Sequence, residues 1–368
     1  MAARIVEDCG TIPRASAERK HTIKAIRGFT RGATAAVATV LAVGLLSACG
    51  GGTSSSGGSA DAGTKPDKVY ELKMSTQLSD TSPMVTGFKA WATAVEEKTE
   101  GGIKINVFTS AQLGSDEDVI EQAIEGVNVA VLTDGGRMGN YVPDIGIIGM
   151  PYIADNYDDV KAITESPTFQ AFDEKFAENG IRILAYNWYD GPRNFYTNNE
   201  INTPADLSGV RVRTPGAPVW AESVKALGAT PVAMPWPDAY NALQGKQIDG
   251  VEVQSTSAYP SSTFEVAKIM TRTEHFQLAN FIMVGEAWIS TLPEEYQQIL
   301  TDEAKAAATE NAALVVKTGA EFEALMVEKG LTINEVDKAP FIEAAQAAYD
   351  KLGYTELRDQ IWSEIGKS

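Results

Sequence analysis

Two arginines stand out in this chain because each follows a strand-like run and acids outnumber bases. The sequence of 368 residues holds 31 Lys and Arg against 49 Asp and Glu, a formal net charge of −18. In Asp190-Gly191-Pro192-Arg193 a Gly-Pro turn is expected to aim Arg193 just past a strand rich in Trp188 and Tyr189. Twenty residues on, Gly209-Val210-Arg211-Val212-Arg213-Thr214-Pro215 reads as a strand ending in Arg213 and a proline. Open α/β sheets bind ligands beyond the carboxyl ends of their strands. A guanidinium there presents a planar fork that can donate two parallel hydrogen bonds to one carboxylate. The chemistry expected of this pair is capture of an acid. The alternative for each arginine is a surface ion pair, and for Trp220 and Trp236 core and pocket are equally open.

Catalytic chemistry has less material. The chain has two His and two Cys, and beyond the first fifty residues only His275 remains. Any nucleophile–His–acid set would have to rest on His275 alone, and His275 reads as an ordinary half-buried residue. Neither a Walker-type phosphate loop nor a dinucleotide glycine fingerprint is present, so no cofactor is expected. The same scarcity of His and Cys argues against a metal centre, and the acidic balance argues against nucleic acid. Abundant Asp and Glu leave a carboxylate pair for glycoside hydrolysis open. A lipid-anchored hydrolase acting on glycans is therefore one alternative.

The elements that must position these residues begin after a leader. Arg19, Lys20, Lys24, Arg27 and Arg31 form a basic stretch, and Ala33–Leu46 follows without a charge. That run falls short of the about twenty apolar residues a membrane span requires and suits a signal-peptide core. It ends in Leu46-Ser47-Ala48-Cys49, which resembles a bacterial lipobox, so residues 1–48 are expected to be removed and Cys49 to carry lipid. Residues 49–67, rich in Gly and Ser, read as a flexible tether. Removal of the basic leader leaves a body more acidic still.

From Val69 onward, strands and helices alternate, as in βαβ units with parallel sheets. Strands are expected at 69–77, 103–108, 127–133, 181–188, 210–214, 231–234, 250–253 and 276–289. Helices are expected at 83–100, 115–126, 160–179 with an interruption near Pro167, 219–227, 238–244, 339–352 and 356–365. Pro293 to about Lys329 contains no internal proline, and its apolar residues recur at helical spacing. If continuous it is roughly 37 residues and about 55 Å long, longer than one domain is wide; a break at Gly319 is the alternative.

Several of these segments together resemble one family. Gly191-Pro192-Arg193-Asn194-Phe195, the run from Thr203-Pro204 to Thr214-Pro215, Ala226–Pro231, Asp238–Gln244 and Ile248-Asp249-Gly250-Val251-Glu252 occur in order. With Ala111-Gln112-Leu113-Gly114, Met150-Pro151-Tyr152 and Leu292-Pro293, they look like the extracytoplasmic solute-binding proteins of tripartite ATP-independent periplasmic (TRAP) transporters. The resemblance implies an α/β, two-lobed periplasmic-binding-protein-like fold with a long spine helix crossing both lobes. The lobes are expected at 68–190 with 279–318, and at 191–278 with 319–368. It further implies delivery of a carboxylate-bearing small molecule to TRAP membrane permease subunits, without catalysis. By the same resemblance Arg213 pairs with the substrate carboxylate, Arg193 is a second arginine in the cleft, and Gln77 and Asp134 line the pocket. The full substrate-binding set expected is Arg213, Arg193, Gln77, Asp134, Trp188, Trp236, Val253 and Tyr240. One position departs from the family, which commonly has Asp-Gly-Gln-Glu-Asn-Pro with the Asn touching substrate. Here Val253 stands at that Asn, so the pocket is drier there or Gln254 substitutes, which weakens transfer of a sialic-acid or C4-dicarboxylate assignment. A binding lipoprotein of the ABC type is the nearest alternative.

Overall fold

The computed structural model describes residues 68–367; the leader, Cys49 and the 49–67 segment lie outside them. Nine strands form one mixed sheet: β1 (Tyr70–Ser75), β2 (Ile103–Phe108), β3 (Val129–Asp134), β4 (Ile181–Thr197), β5 (Arg211–Thr214), β6 (Thr230–Ala233), β7 (Gly250–Gln254), β8 (Ile269–Gly285) and β9 (Thr332–Glu335). Their order is β2-β1-β3-β8-β4-β7-β5-β6, with β9 added to β8. β1, β2 and β3 run parallel on one side, and β5, β6 and β7 on the other. The antiparallel pair β4 and β8, 17 residues each, joins the two groups. Each group with its helices makes one lobe. β3 is buried along its whole length, as a parallel strand covered on both faces requires.

The joining strands differ from the sequence expectation in an instructive way. Gly191-Pro192 does not turn the chain; it lies inside β4, where the pairing with β8 shifts register between Tyr189 and Gly191. Gly191 takes φ +98°, a conformation open to glycine without a Cβ penalty. Proline, which cannot donate to a ladder, is tolerated where the ladder is already broken. Two further register shifts precede it and one follows along the same pair, and such bulges raise local twist, so the two strands bend as they pass between lobes. Beyond the bulge, Phe195 and Tyr196 enter two different apolar clusters of the second lobe, the alternation a strand imposes.

β8 starts earlier and ends earlier than expected, and Glu286–Ile289 is a helical turn. Gly285 marks the change. A Cβ there would lie 1.7 Å from the Ala123 carbonyl oxygen, so the strand closes against the preceding helix only with glycine. Glu286 is then held by both arms of Arg182, at 2.7 and 2.8 Å.

The spine helix, Glu294–Glu328, runs 35 residues without interruption at Gly319, about 52 Å at 1.5 Å per residue. Its first half packs on the first lobe: Trp91 Nε1 donates to the Leu300 carbonyl at 3.1 Å. Near its other end Met326 joins the second-lobe cluster with Tyr196, Val251 and Phe264. The expected helix at 160–179 is three short ones, Tyr157–Thr164, Pro167–Gln170 and Phe172–Glu178; Pro167 opens the second behind a Ser166 cap. Residues 319–368, assigned to the second lobe from sequence, divide in their packing. Phe341 and Ala345 join a second-lobe cluster, whereas the helix Thr355–Ile365 lies on the first lobe, with Trp362 Nε1 donating to the Ile153 carbonyl at 3.0 Å. No helix among the described residues is long and apolar enough to cross a membrane.

Replacing Gly285 by alanine is expected to cost about 2 kcal/mol through this overpacking. Calorimetry should show a lower Tm; an unchanged Tm would contradict the close approach.

Candidate ligand-binding cleft

The carboxyl ends of β1, β3, β5 and β7 converge with the middles of β4 and β8 on a cleft. β1 runs on into Gln77, β3 ends in Asp134, β5 carries Arg213, and β7 contributes Val253 and Gln254. β4 supplies Asp190 and Arg193 around its bulge, and β8 supplies Asn280. Two further groups come from helix starts. Asp116 opens the helix Asp116–Ile124 behind the Ser115 cap, and Arg137 sits in a turn whose backbone N–H donates to Asp134 Oδ1 at 3.0 Å.

The three arginines of the cleft are in different electrostatic states. Arg193 is committed: its Nε and Nη2 hold the two carboxylate oxygens of buried Glu252 at 2.5 and 2.7 Å, and Nη1 donates to Gln254 Oε1 at 3.2 Å. Burial works to raise the Glu252 carboxyl, but the charge of Arg193 and the nearby imidazole of His275, its Nε2 3.7 Å away, hold it below the usual range. Arg137 is shared among three acids: Nε donates to Glu117 at 2.8 Å, Nη1 to Asp134, and Nη2 lies 3.4 Å from Asp116. Arg213 is the exception. It is 3% exposed, its Nε donates to the Met234 carbonyl at 2.9 Å, and its guanidinium carbon lies 5.4 Å from the Trp236 ring centre. Among the described residues no carboxylate reaches it. Burial, then the positive charges of Arg137 and Arg193, pull its pKa down to about 9, the signature of a buried cation lacking a counter-ion.

Two carboxyls of the cleft shift the opposite way. Burial raises Asp116 to about 6, against the pull of Arg137 and the nearby amide of Gln77. Burial raises Asp190 to about 7, opposed by hydrogen bonds from Thr256 and Gln254 and by the charge of Arg193. Thr256 Oγ1 lies 3.0 Å from Asp190 Oδ1, and Gln254 Nε2 donates to Oδ2. Both Asp190 oxygens are therefore engaged by the fold.

The lobes touch across the cleft. Trp220 Nε1, from the second lobe, donates to Asp134 Oδ1 at 2.9 Å, and the Trp236 backbone N–H donates to Gln77 Oε1 at 3.0 Å. Trp220 also lies over Arg193, with 5.1 Å between guanidinium carbon and ring centre. Its approach to the first lobe is close enough that a Cβ on Gly136 would sit 2.3 Å from Nε1.

Residues 74–356 match the family described as bacterial extracellular solute-binding protein, family 7. The chain belongs to this family. The sialic acid-binding periplasmic protein of Vibrio cholerae is 28% identical over 279 residues, covering 76% of this chain and 87% of that protein. A TRAP periplasmic solute-binding protein of Ochrobacterium anthropi, solved with bound L-fuconate, matches with TM-score 0.78 at 30% identity, over 81% of this chain and 99% of that one. An open apo structure from Escherichia fergusonii matches with TM-score 0.72 at 35% identity, over 80% and 100%. The likeness is greater to the liganded structure despite its lower identity, in keeping with the two hydrogen bonds that cross the cleft.

Six of the residues expected at the ligand of this solute-binding protein do line its cleft: Arg213, Arg193, Gln77, Asp134, Trp236 and Val253. Trp188 and Tyr240 do not. Trp188 is completely buried against Phe88, ring centres 4.8 Å apart, beneath the helix Pro83–Lys98, where Gly87 leaves room for the indole. Tyr240 lies half-buried on the helix Ala239–Gln244, away from the cleft. His275 is fully buried, not half-buried; its Nδ1 pairs with Thr273 Oγ1 at 2.7 Å, it stacks on Phe195, and burial lowers its pKa. Sequence reasoning missed Arg137, Asp116, Asp190 and Asn280. Arg137 carried one readable signal: Asp134-Gly135-Gly136-Arg137 follows a buried strand, with an acid able to cap the turn that presents the arginine.

Gly136→Val is expected to hold the lobes apart by occupying the space of the Trp220 indole. Small-angle scattering should show a ligand compacting the wild type and leaving this variant unchanged; equal compaction would contradict a close cross-lobe approach.

Proposed function

We propose that this protein captures an organic acid in the cleft, seats its carboxylate on Arg213, and delivers it to a TRAP-type membrane permease. The observation that carries this reading is the buried, uncompensated guanidinium of Arg213 at the end of β5. Burying a cation without a partner costs several kcal/mol, and an entering carboxylate removes that cost. Its two oxygens match the planar fork, and closure of the lobes then excludes water and lowers the local dielectric, which strengthens the pair. Ligand binding shifts the population toward the closed arrangement because only there do both lobes contact the ligand. The acidic exterior is no obstacle, since arginines inside a low-dielectric cleft set the local potential.

Relatives support the ligand class. TRAP solute-binding proteins of similar fold were solved with L-fuconate and with L-galactonate, and a relative of 24% identity is a 2,3-diketo-L-gulonate-binding periplasmic protein. The reading is capture and release without turnover. Val253 makes the wall apolar where the family resemblance places an Asn; adjacent Gln254 also lines the cleft, with its amide held by Arg193 and Asp190. The extracytoplasmic placement rests on the family, and the lipid anchor on Leu46-Ser47-Ala48-Cys49. Cys49→Ser is expected to move the protein from the membrane to the soluble fraction and to abolish acyl labelling; equal membrane retention would remove the anchor from the account.

At ligand a hundredfold above Kd, stabilisation of about 2.7 kcal/mol is expected, visible as a thermal shift. Arg213→Ala should leave the unliganded protein at least as stable, because an unpaired buried charge is removed, and should abolish the shift. Arg213→Lys keeps the charge, loses the fork, and should weaken binding about tenfold. Retention of the full shift in Arg213→Ala would contradict the reading.

A further inference from the structure

We propose that the cleft selects acids carrying a single negative charge and rejects the corresponding diacids, the rest of the ligand being polyhydroxylated. The inference rests on the organic-acid reading and specifies its charge. It follows from which cationic donors the fold has left free. Arg193 has given Nε and Nη2 to Glu252 and Nη1 to Gln254. Arg137 has its Nε, Nη1 and Nη2 facing Glu117, Asp134 and Asp116. Neither offers a fork to a second anion. Arg213 alone meets no carboxylate among the described residues, and only its Nε is engaged, by a carbonyl. The cleft thus has one cation to spare.

The wall opposite Arg213 has the reverse character. Asp116 and Asp134 face the cleft from the first lobe and Asp190 from β4; Asp116 and Asp134 alone outnumber the first lobe's one cleft cation, Arg137. A second ligand carboxylate on this side would meet acids, with no free guanidinium to offset them. Asp116 already reports the crowding: after burial, the nearby charges of Glu117 and Asp134 add to the rise of its pKa. Hydroxyl groups suit the same wall. An alcohol donates to a carboxylate and accepts from an amide, and Gln77 and Asn280 stand among the acids. The ligand that satisfies both sides is a carboxylate at one end and a chain or ring of hydroxyls at the other, an aldonate or a uronate.

The test is calorimetric titration at neutral pH with pairs differing only in oxidation of the far carbon: gluconate with glucarate, galactonate with galactarate, mannonate with mannarate. In at least one pair the monoacid is expected to bind, and to bind about fiftyfold tighter than its diacid, a modest share of the several kcal/mol that like-charge contacts cost. Asp116→Asn removes negative charge from the first-lobe wall and, separately, Glu117→Gln removes it from the more exposed acid that holds Arg137 behind that wall, and each should narrow the preference at least fivefold. A diacid that binds as well as its monoacid, with Arg213 still required, overturns this inference and leaves the organic-acid reading standing. Unchanged selectivity in both variants overturns the role given to the first-lobe acids. Failure of every acid to bind, with neutral sugars or peptides binding instead, overturns the organic-acid reading and this inference together.

Discussion

Arg213 keeps a full positive charge almost out of contact with water, with a carbonyl on Nε and an indole face beside it, and without a carboxylate partner among the described residues. Such a group is a stored electrostatic cost, because desolvation of an ion is repaid only by an opposite charge in good geometry. The surrounding structure makes that cost tolerable and specific. β5 is four residues long and sits between β6 and β7, so its carboxyl end points the arginine into the cleft. Arg193, on β4 two strands away, has its own charge cancelled by Glu252. Of three nearby guanidiniums only Arg213 is thus left without a carboxylate among the described residues, and it is the group proposed to seat the anion.

The architecture supplies the second requirement, a way to bury the ligand completely and still release it. Only β4 and β8 carry sheet pairing from one lobe to the other, and the bulges along them concentrate the bending between lobes. The spine helix ties both lobes to one rigid rod, its first half packed on the first lobe and Met326 anchored in the second. Across the cleft two hydrogen bonds join the lobes, an indole on Asp134 and a backbone N–H on Gln77, beside the packing of Val219 on the first-lobe core. Apolar burial far from the site holds each lobe together, whereas single hydrogen bonds of modest net strength close it, which suits a motion that must reverse.

Much of this was legible in the sequence. Alternation of strand and helix patterns gave the α/β class, and Arg213 near the end of its strand pointed to the ligand chemistry proposed, because both depend on local periodicity and residue type. The spine helix was legible because 35 residues without proline at helical spacing have few other fates. What the sequence hid was tertiary in origin. Gly191-Pro192 carries turn chemistry, and only pairing with β8 makes it a bulge inside a strand. β9 is four residues, partly exposed, and exists because β8 offers it an edge. Trp188 belongs to the core because Gly87, a hundred residues away, makes space for it. The committed state of Arg193 was likewise hidden: Glu252 is one acid among 49 until the fold pairs β4 with β7.

The central claim is that one buried guanidinium receives the ligand's only charge. A crystal structure of the protein with a bound monocarboxylate tests it most directly. The account predicts both carboxylate oxygens within hydrogen-bond distance of Arg213 Nη1 and Nη2, the Arg193–Glu252 pair intact, and ligand hydroxyls facing Asp116 and Asp190. A carboxylate seated on Arg193 or Arg137 with its Glu252 or Asp134 pairing broken, or one lying clear of all three arginines, would contradict it.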